Sequence, residues 1–375
     1  MRNKIKPIIK WTGGKYNEFA LFEKYIPDFK RYIEPFFGGG GVFFALQPQT
    51  TALINDKSTD LISFYKNINN ELFKSSVYEY VNAWDEITAM VQELWLTYHT
   101  YFSDCIFAEK EILSFSEQML TAVSLQFNQT KTLKTNTFVI DKEFFIKYVT
   151  DSITDKTRRI KRIVKKESRI FTVNELKDHF ETGIKSGFYL FFRNLLNQKY
   201  GGKIQLTDEK AAANWFFVRE FCYGSMFRYN SKGHFNIPYG GIAYNRKNFR
   251  QKANRLFSPE IETLFRSVQV HNLDFEAFLK EAKLRESDFI FLDPPYDSEF
   301  SEYDQNAFTQ KDQQRLADFL KHTKAKWMLV IKETAFIREI YTHPEIKIVT
   351  FSKNYTYNVR GRNDRAVIHL IITNY

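Results

Sequence analysis

Both ends of the chain alternate short apolar runs with segments of helical period. "RYIEPF" (31–36) and "TALIND" (51–56) read as strands, and "KSTDLISFYKNI" (57–68) as a helix capped near Ser58 or Thr59. Toward the other end, "SVQVHN" (267–272), "DFIFLD" (288–293), "KWMLVI" (326–331), "IKIVTF" (346–351) and "AVIHLIIT" (366–373) read as strands. Helical patterns at "FEAFLKEAKL" (275–284) and "TQKDQQRLADFLKHT" (309–323) lie between them. Alternation of this kind predicts an α/β sheet, mainly parallel, of Rossmann-like type.

The middle has a different rhythm. From about residue 71 to 210 the pattern is mostly helical and rich in charge and aromatics. "FRYNSKGHFNIPYGG" (227–241) then reads as a β-hairpin or loop with Ser-Lys-Gly at its turn. No internal repeat or low-complexity tract interrupts the chain. The expected organisation is a discontinuous α/β domain, 1–70 plus 260–375. A mainly helical domain, 71–259, is inserted between its second and third strands.

Composition narrows the function class. At 375 residues the chain suits one large or two modest domains, and 43% hydrophobic and 17% aromatic content gives ample core and argues against disorder. The net charge of +10 fits a polyanionic partner without choosing one. Cys105 and Cys222 lie too far apart for a disulfide framework or zinc spacing, and no His-x-x-x-His pair comes with an acid, so no metal is expected. "MRNKIKPIIKW" lacks the apolar core of a leader and no run approaches a membrane span, so a cytoplasmic location is expected.

Candidate chemistry clusters where the predicted strands end. "RYIEPFFGGGGVFF" is strand, glycines, then helix, but neither Gly38 nor Gly39 starts a G-x-G-x-x-G fingerprint, because Phe43 and Phe44 occupy the third glycine position. The loop suits either a ligand approached closely by backbone amides or a tight turn with no ligand. Glu34 closes the first strand, Asp56 the second, and Asp274 follows the third. Open α/β sheets bind ligands along that edge, and the acid after the second strand commonly reads ribose hydroxyls. A ligand with a ribose, an amino group and a positive charge suits three such acids, and S-adenosylmethionine has all three. "KWTGGKYN" (10–17) adds Trp11, a Gly-Gly turn and Lys15.

In this order, "KWTGGK", "YIEPFFGGGGVFF", "LINDKSTDL", "RYNSKGHFNIPYG", "LDF" and "FLDPPYD" resemble the Dam-type DNA adenine-N6 methyltransferases of the D12 class, alpha group. The resembling blocks cover about 1–70 and 211–375. The resemblance implies S-adenosylmethionine as methyl donor, with Trp11, Lys15, Glu34, Gly38, Gly40, Asp56, Asp274 and Asp293 at cofactor positions. Asp293, Pro294 and Tyr296 match the catalytic motif. Arg228, Tyr229, Asn230, Asn236 and Pro238 match the hairpin that enters double-stranded DNA. It also implies a nucleoid-associated monomer that serves as an orphan Dam-like enzyme or as the modification half of a restriction–modification system, with an endonuclease encoded nearby. On this reading 1–70 and 260–375 form the catalytic domain and 71–259 the target-recognition domain.

The chemistry fits those residue types. The N6 lone pair of adenine is delocalised into the ring. Acceptors on both N6–H groups favour a pyramidal nitrogen, and Asp293 and the Pro294 carbonyl can supply them. Tyr296 can stack on the base, which must leave the duplex to reach the site. "KTRRIKRIVKKESRI" (156–170) reads equally as a solvated basic helix or a phosphate contact. "FFRNLLNQKYGGK" (191–203) reads as core helix, then loop.

Overall fold

Strand-forming apolar runs and intervening helices make one sheet in a computed structural model that describes residues 4–108, 110–226, 228–295, 308–354 and 366–375. Among the described residues the strands are β1 (Arg31–Glu34), β2 (Thr51–Asn55), β3 (Val268–His271), β4 (Asp288–Leu292), β5 (Lys326–Lys332), β6 (Lys347–Asn354) and β7 (Ala366–Thr373). Their spatial order is β3-β2-β1-β4-β5-β7-β6. β1 to β5 pair in parallel, and β7 runs antiparallel to both β5 and β6. This is the expected α/β, mostly parallel, Rossmann-like sheet, and among the described strands β7 is the reversed one, near the C-terminus.

Period-two alternation divides the sheet into two apolar faces. Ile33, Leu53, Ile290, Leu292 and Leu329 share one core with Phe275, Phe278, Leu316, Leu320 and Trp327. On the other side, Tyr32 and Phe289 pack with Phe29, and Phe291 stacks on Phe22 with ring centroids 5.7 Å apart. Every residue of β4 is buried. At the amino-terminal edge, Arg31 grips the buried Asp288 through Nε (2.9 Å) and a terminal guanidinium nitrogen (2.5 Å), tying β1 to β4. The chain steps from β1 to β2 on one side, while β4 lies on the other, so β1 and β4 flank the topological switch point. Ligands of open α/β sheets bind at the carboxyl ends of such strands.

Two compact units emerge, Met1–Asn69 with Ser258–Tyr375, and Asn70–Phe257. The second is built on helices Glu71–Phe107, Ile112–Gln129, Lys142–Glu167, Val173–Tyr200 and Asp208–Phe221. Their ends follow capping chemistry: Asn70, Asp141 and Thr207 accept from first-turn amides, and Thr172 with Glu175 forms a capping box. Tyr80, Trp84, Phe188, Phe192 and Phe217 form an aromatic centre. Among the described residues, 228–241 is a loop with two isolated antiparallel bridges, Tyr229–Phe235 and Cys222–Tyr239, rather than a laddered hairpin. Its backbone groups bond instead to the helix Val173–Tyr200 and to its own turn.

Candidate active site

Strand β4 stops because Pro294 and Pro295 have no N–H to continue a ladder. Asp293 therefore emerges at the carboxyl end of β4, beside the end of β1. Its carboxylate is paired with Lys15, whose side chain is wholly buried while that of Asp293 is 17% exposed. Lys15 Nζ also donates to the Gly13 carbonyl at 3.0 Å. The ammonium set against the carboxylate offsets part of the cost of burying each charge.

Glu34, at the end of β1, is buried and accepts from the Tyr32 hydroxyl at 2.7 Å. Burial pushes its carboxyl well above the usual range, and the nearby charges of Asp293 and Asp56 push the same way, against a smaller opposing effect of the Tyr32 bond. Asp56, just past β2, accepts from the Gly38 amide and the Ser58 amide, both at 2.9 Å. The Tyr65 hydroxyl donates to the Gly38 carbonyl at 3.2 Å. Three acidic side chains and one ammonium thus share this edge, and even with Glu34 pushed toward its neutral form the two aspartates outnumber the ammonium, which favours a cationic ligand.

Gly38 and Gly40 take positive φ (50° and 65°), which a side chain would strain. A methyl at Gly38 would lie 2.9 Å from Trp11 Cδ1, and one at Gly41 would lie 2.9 Å from the Tyr16 amide nitrogen. The bare faces of this tract therefore receive the protein's own segment 11–16, with Trp11 half-buried against Gly38 and Gly39. Close approach by the N-terminal segment, rather than by a dinucleotide, is what these glycines show.

Asp274 stands apart from that trio in its bonding. It caps the helix Phe275–Glu281 by accepting from the Glu276 amide (3.0 Å) and pairs with Arg315 at 2.9 Å. Arg315 also holds Glu276 and Asp312. Asn55 escaped the sequence reading. Buried at the end of β2, it donates to the Pro35 and Leu273 carbonyls (3.1 Å each) and accepts from the Leu273 amide (2.8 Å). One side chain thus joins the ends of β1, β2 and β3. An apolar strand ending in Asn-Asp was its only signal, and Asp56 took the attention.

In the second unit, the Asn230 side chain closes the turn, accepting from the Lys232 and His234 amides at 3.0 Å each. Arg228 Nε donates to Asn236 Oδ1 at 3.1 Å, and Tyr229 rests edge-on to Phe235. Pro238 is exposed, and its carbonyl accepts from the Tyr223 amide (2.8 Å). Tyr189, Arg193 and Asn197, four residues apart on one helix face, bond to the backbone of this loop. The first two donate to the Ile237 carbonyl (2.8 and 3.1 Å), while Asn197 both donates to and accepts from Phe235 (3.1 and 2.8 Å). The core helix expected over 191–203 is thus also the clamp of the loop. On the helix Lys142–Glu167, Ile160 is buried while Arg158, Arg159, Arg162, Lys165 and Lys166 are exposed.

Tyr296 lies outside the described residues. Among the described residues no cluster of His, Cys, Asp or Glu is arranged to hold a metal, and no helix is long and apolar enough to cross a membrane.

Comparison with known proteins agrees with the motif order and widens its reach. The sequence profile of the D12 class N6 adenine-specific DNA methyltransferase family matches residues 11–143 and 149–357, so the match runs through the helical region that the motif resemblance left out. The chain is 25% identical to the type II methyltransferase M.CviBI of Paramecium bursaria Chlorella virus NC1A, over 99% of this chain and 100% of that one. It is 33% identical to the Retron Ec67 DNA adenine methylase of Escherichia coli over 40% of this chain and 53% of that one. With the DNA adenine methylase of Vibrio cholerae serotype O1 it shares 21% identity over 96% of this chain and 93% of that one. The chain belongs to the D12 class N6 adenine-specific DNA methyltransferases, site-specific enzymes that methylate adenine in DNA.

Proposed function

We propose that this enzyme uses S-adenosylmethionine to methylate the N6 amino group of adenine within a specific duplex sequence, with the base extruded into the Asp293-Pro294-Pro295-Tyr296 motif. The observation that carries the reading is the buried Lys15–Asp293 pair at the β1/β4 switch point, with Glu34 and Asp56 beside it. The donor set fits the cofactor: a buried carboxyl whose surroundings push it toward its neutral form can ionise when a cation arrives, and Asp56 offers a carboxylate to ribose hydroxyls. When bound, S-adenosylmethionine supplies an electrophilic methyl group.

The protein's own groups do the rest. Asp293, paired with Lys15, takes one N6–H bond, and the Pro294 carbonyl takes the other. Tyr296 stacks on the adenine and holds it in line. After transfer, N6 loses a proton to Asp293 or to water. Trp11 covers the glycine loop, and Lys15, Gly38, Gly40 and Asp274 complete the cofactor edge. Met1–Asn69 with Ser258–Tyr375 serves as the catalytic unit. Asn70–Phe257 serves target recognition through Arg228, Tyr229, Asn230, Asn236 and Pro238. Full-length relatives named type II methyltransferases favour the modification half of a restriction–modification system over a solitary enzyme.

The test is incubation with methyl-labelled S-adenosylmethionine and mixed-sequence duplex DNA, followed by nucleoside analysis. The label is expected in N6-methyladenine, and Asp293→Ala is expected to abolish transfer while retaining DNA binding. Label confined to cytosine or RNA, or a fully active Asp293→Ala enzyme, overturns the reading.

A further inference from the structure

A fully buried glutamine sits where the sequence pattern calls for an apolar side chain. Gln313 lies on the helix Gln310–Lys321, in line with the buried Leu316, Ala317 and Leu320 at three-, four- and seven-residue spacing. Its Nε2 donates to the Pro295 carbonyl at 3.0 Å. Its Oε1 is buried and has no hydrogen-bond partner among the described residues. A half-satisfied buried amide is worse for stability than an apolar group of its size. The fold retains it nonetheless, which directs attention to what the amide holds.

The segment it holds has few other handles. Pro294 and Pro295 lack N–H groups, so their backbone can be anchored only through carbonyl oxygens. Both prolines have fixed φ, which leaves ψ as the main freedom of each. Anchoring the Pro295 carbonyl fixes the peptide plane that follows Pro295, and the rigid ring carries that constraint back toward the Pro294 carbonyl. The helix is itself tied down at this end by the Thr309–Asp312 capping box and by Arg315, which reaches Asp274 and Glu276.

We infer that Gln313 is a positioning residue for methyl transfer: its amide aims the Pro294–Pro295 backbone at the adenine amino group, at a cost in stability. The inference rests on the reading of Asp293 and Pro294 as the catalytic pair. It predicts opposite signs for activity and stability. Gln313→Met conserves volume and removes the orphaned acceptor. The full-length variant should lose roughly tenfold to a hundredfold in kcat, since small misplacements of reacting groups carry losses of this size. KM for S-adenosylmethionine and for DNA should stay within about twofold (uniform binding is untouched), and the thermal midpoint should be unchanged or higher.

Leu320→Met, on the same buried face but without a hydrogen bond to the motif, is the packing control and should keep its kcat. An unchanged kcat in Gln313→Met overturns the inference, as does an equal loss of kcat in Leu320→Met. Asp293→Ala is assayed in parallel. If it is inactive while Gln313→Met is fully active, only the role of Gln313 fails. If Asp293→Ala is active, the catalytic reading itself fails and the role of Gln313 with it.

Discussion

Replacing Lys15 by Met should cost the α/β unit about 3 kcal/mol, and most of that cost should vanish when Asp293 is Asn in the same chain. Two unit charges near contact attract by roughly 4 kcal/mol at the effective dielectric of about 20 that suits protein sites. Lys15 is wholly buried and Asp293 only slightly exposed, so solvent screens little of this. Removing one member of a buried pair strands the other, a loss of about 3–5 kcal/mol, and the remaining exposure of Asp293 places this pair at the lower end. Asp56 sharpens the effect, because its charge lies close enough to help raise the Glu34 carboxyl beside the stranded carboxylate. Methionine keeps most of the apolar packing of the lysine stem. The bond from Nζ to the Gly13 carbonyl is also lost, but Gly13 is exposed and water replaces it.

The assay is a double-mutant cycle of Lys15→Met, Asp293→Asn and the double variant. Native-state amide exchange of β1 and β4 reports the stability of this unit separately from the helical one. With Asn at 293 the lysine substitution should cost under about 1 kcal/mol, which leaves a coupling energy near 2 kcal/mol. Costs that simply add, to within about 0.5 kcal/mol, would refute the claim that Lys15 exists to compensate the Asp293 charge.

The raised carboxyl of Glu34 gives a pH signature in the ligand-free enzyme. Between the ordinary value of 4.5 and its raised folded value, the native state holds a proton that the unfolded state has released, so stability falls as pH rises through that window and then levels. Glu34→Gln should flatten that fall in thermal midpoints measured against pH, and a variant with the parent's slope would remove Glu34 as its source. In the second unit, Asn197→Ala leaves the buried Phe235 backbone without its paired bonds, at a cost of about 1–3 kcal/mol. Discrimination between the modified sequence and a duplex altered by one base, read as a ratio of kcat/KM values, should shrink while S-adenosylmethionine affinity holds. An unchanged ratio would detach the clamp from recognition.

The fold was legible because its strands announce themselves. A parallel strand buried on both faces reads as a continuous apolar run, as "DFIFL" does, and the prolines after Leu292 mark where it stops. The acids were legible for a related reason. Glu34, Asp56 and Asp293 close or follow apolar runs, and a charge in that position needs an explanation. Gln313, Asn55 and Asn197 gave no such warning. Each is polar and uncharged, and each takes its meaning from a backbone group elsewhere: Pro295 is 18 residues from Gln313, Phe235 is 38 from Asn197, and Leu273 is 218 from Asn55. Periodicity assigns a polar residue on a helix to the solvent side, so Gln313 disappears into the pattern that should expose it as an exception.

The glycine tract was legible in kind but ambiguous in purpose. A missing Cβ says that something comes close without saying what does, and at Gly38, Gly39 and Gly41 it is the chain's own segment 11–16. That close approach is what carries Lys15 inward to Asp293. The loop and the ion pair therefore form one device, in which glycines at the end of β1 admit the cation that pairs with the acid at the end of β4.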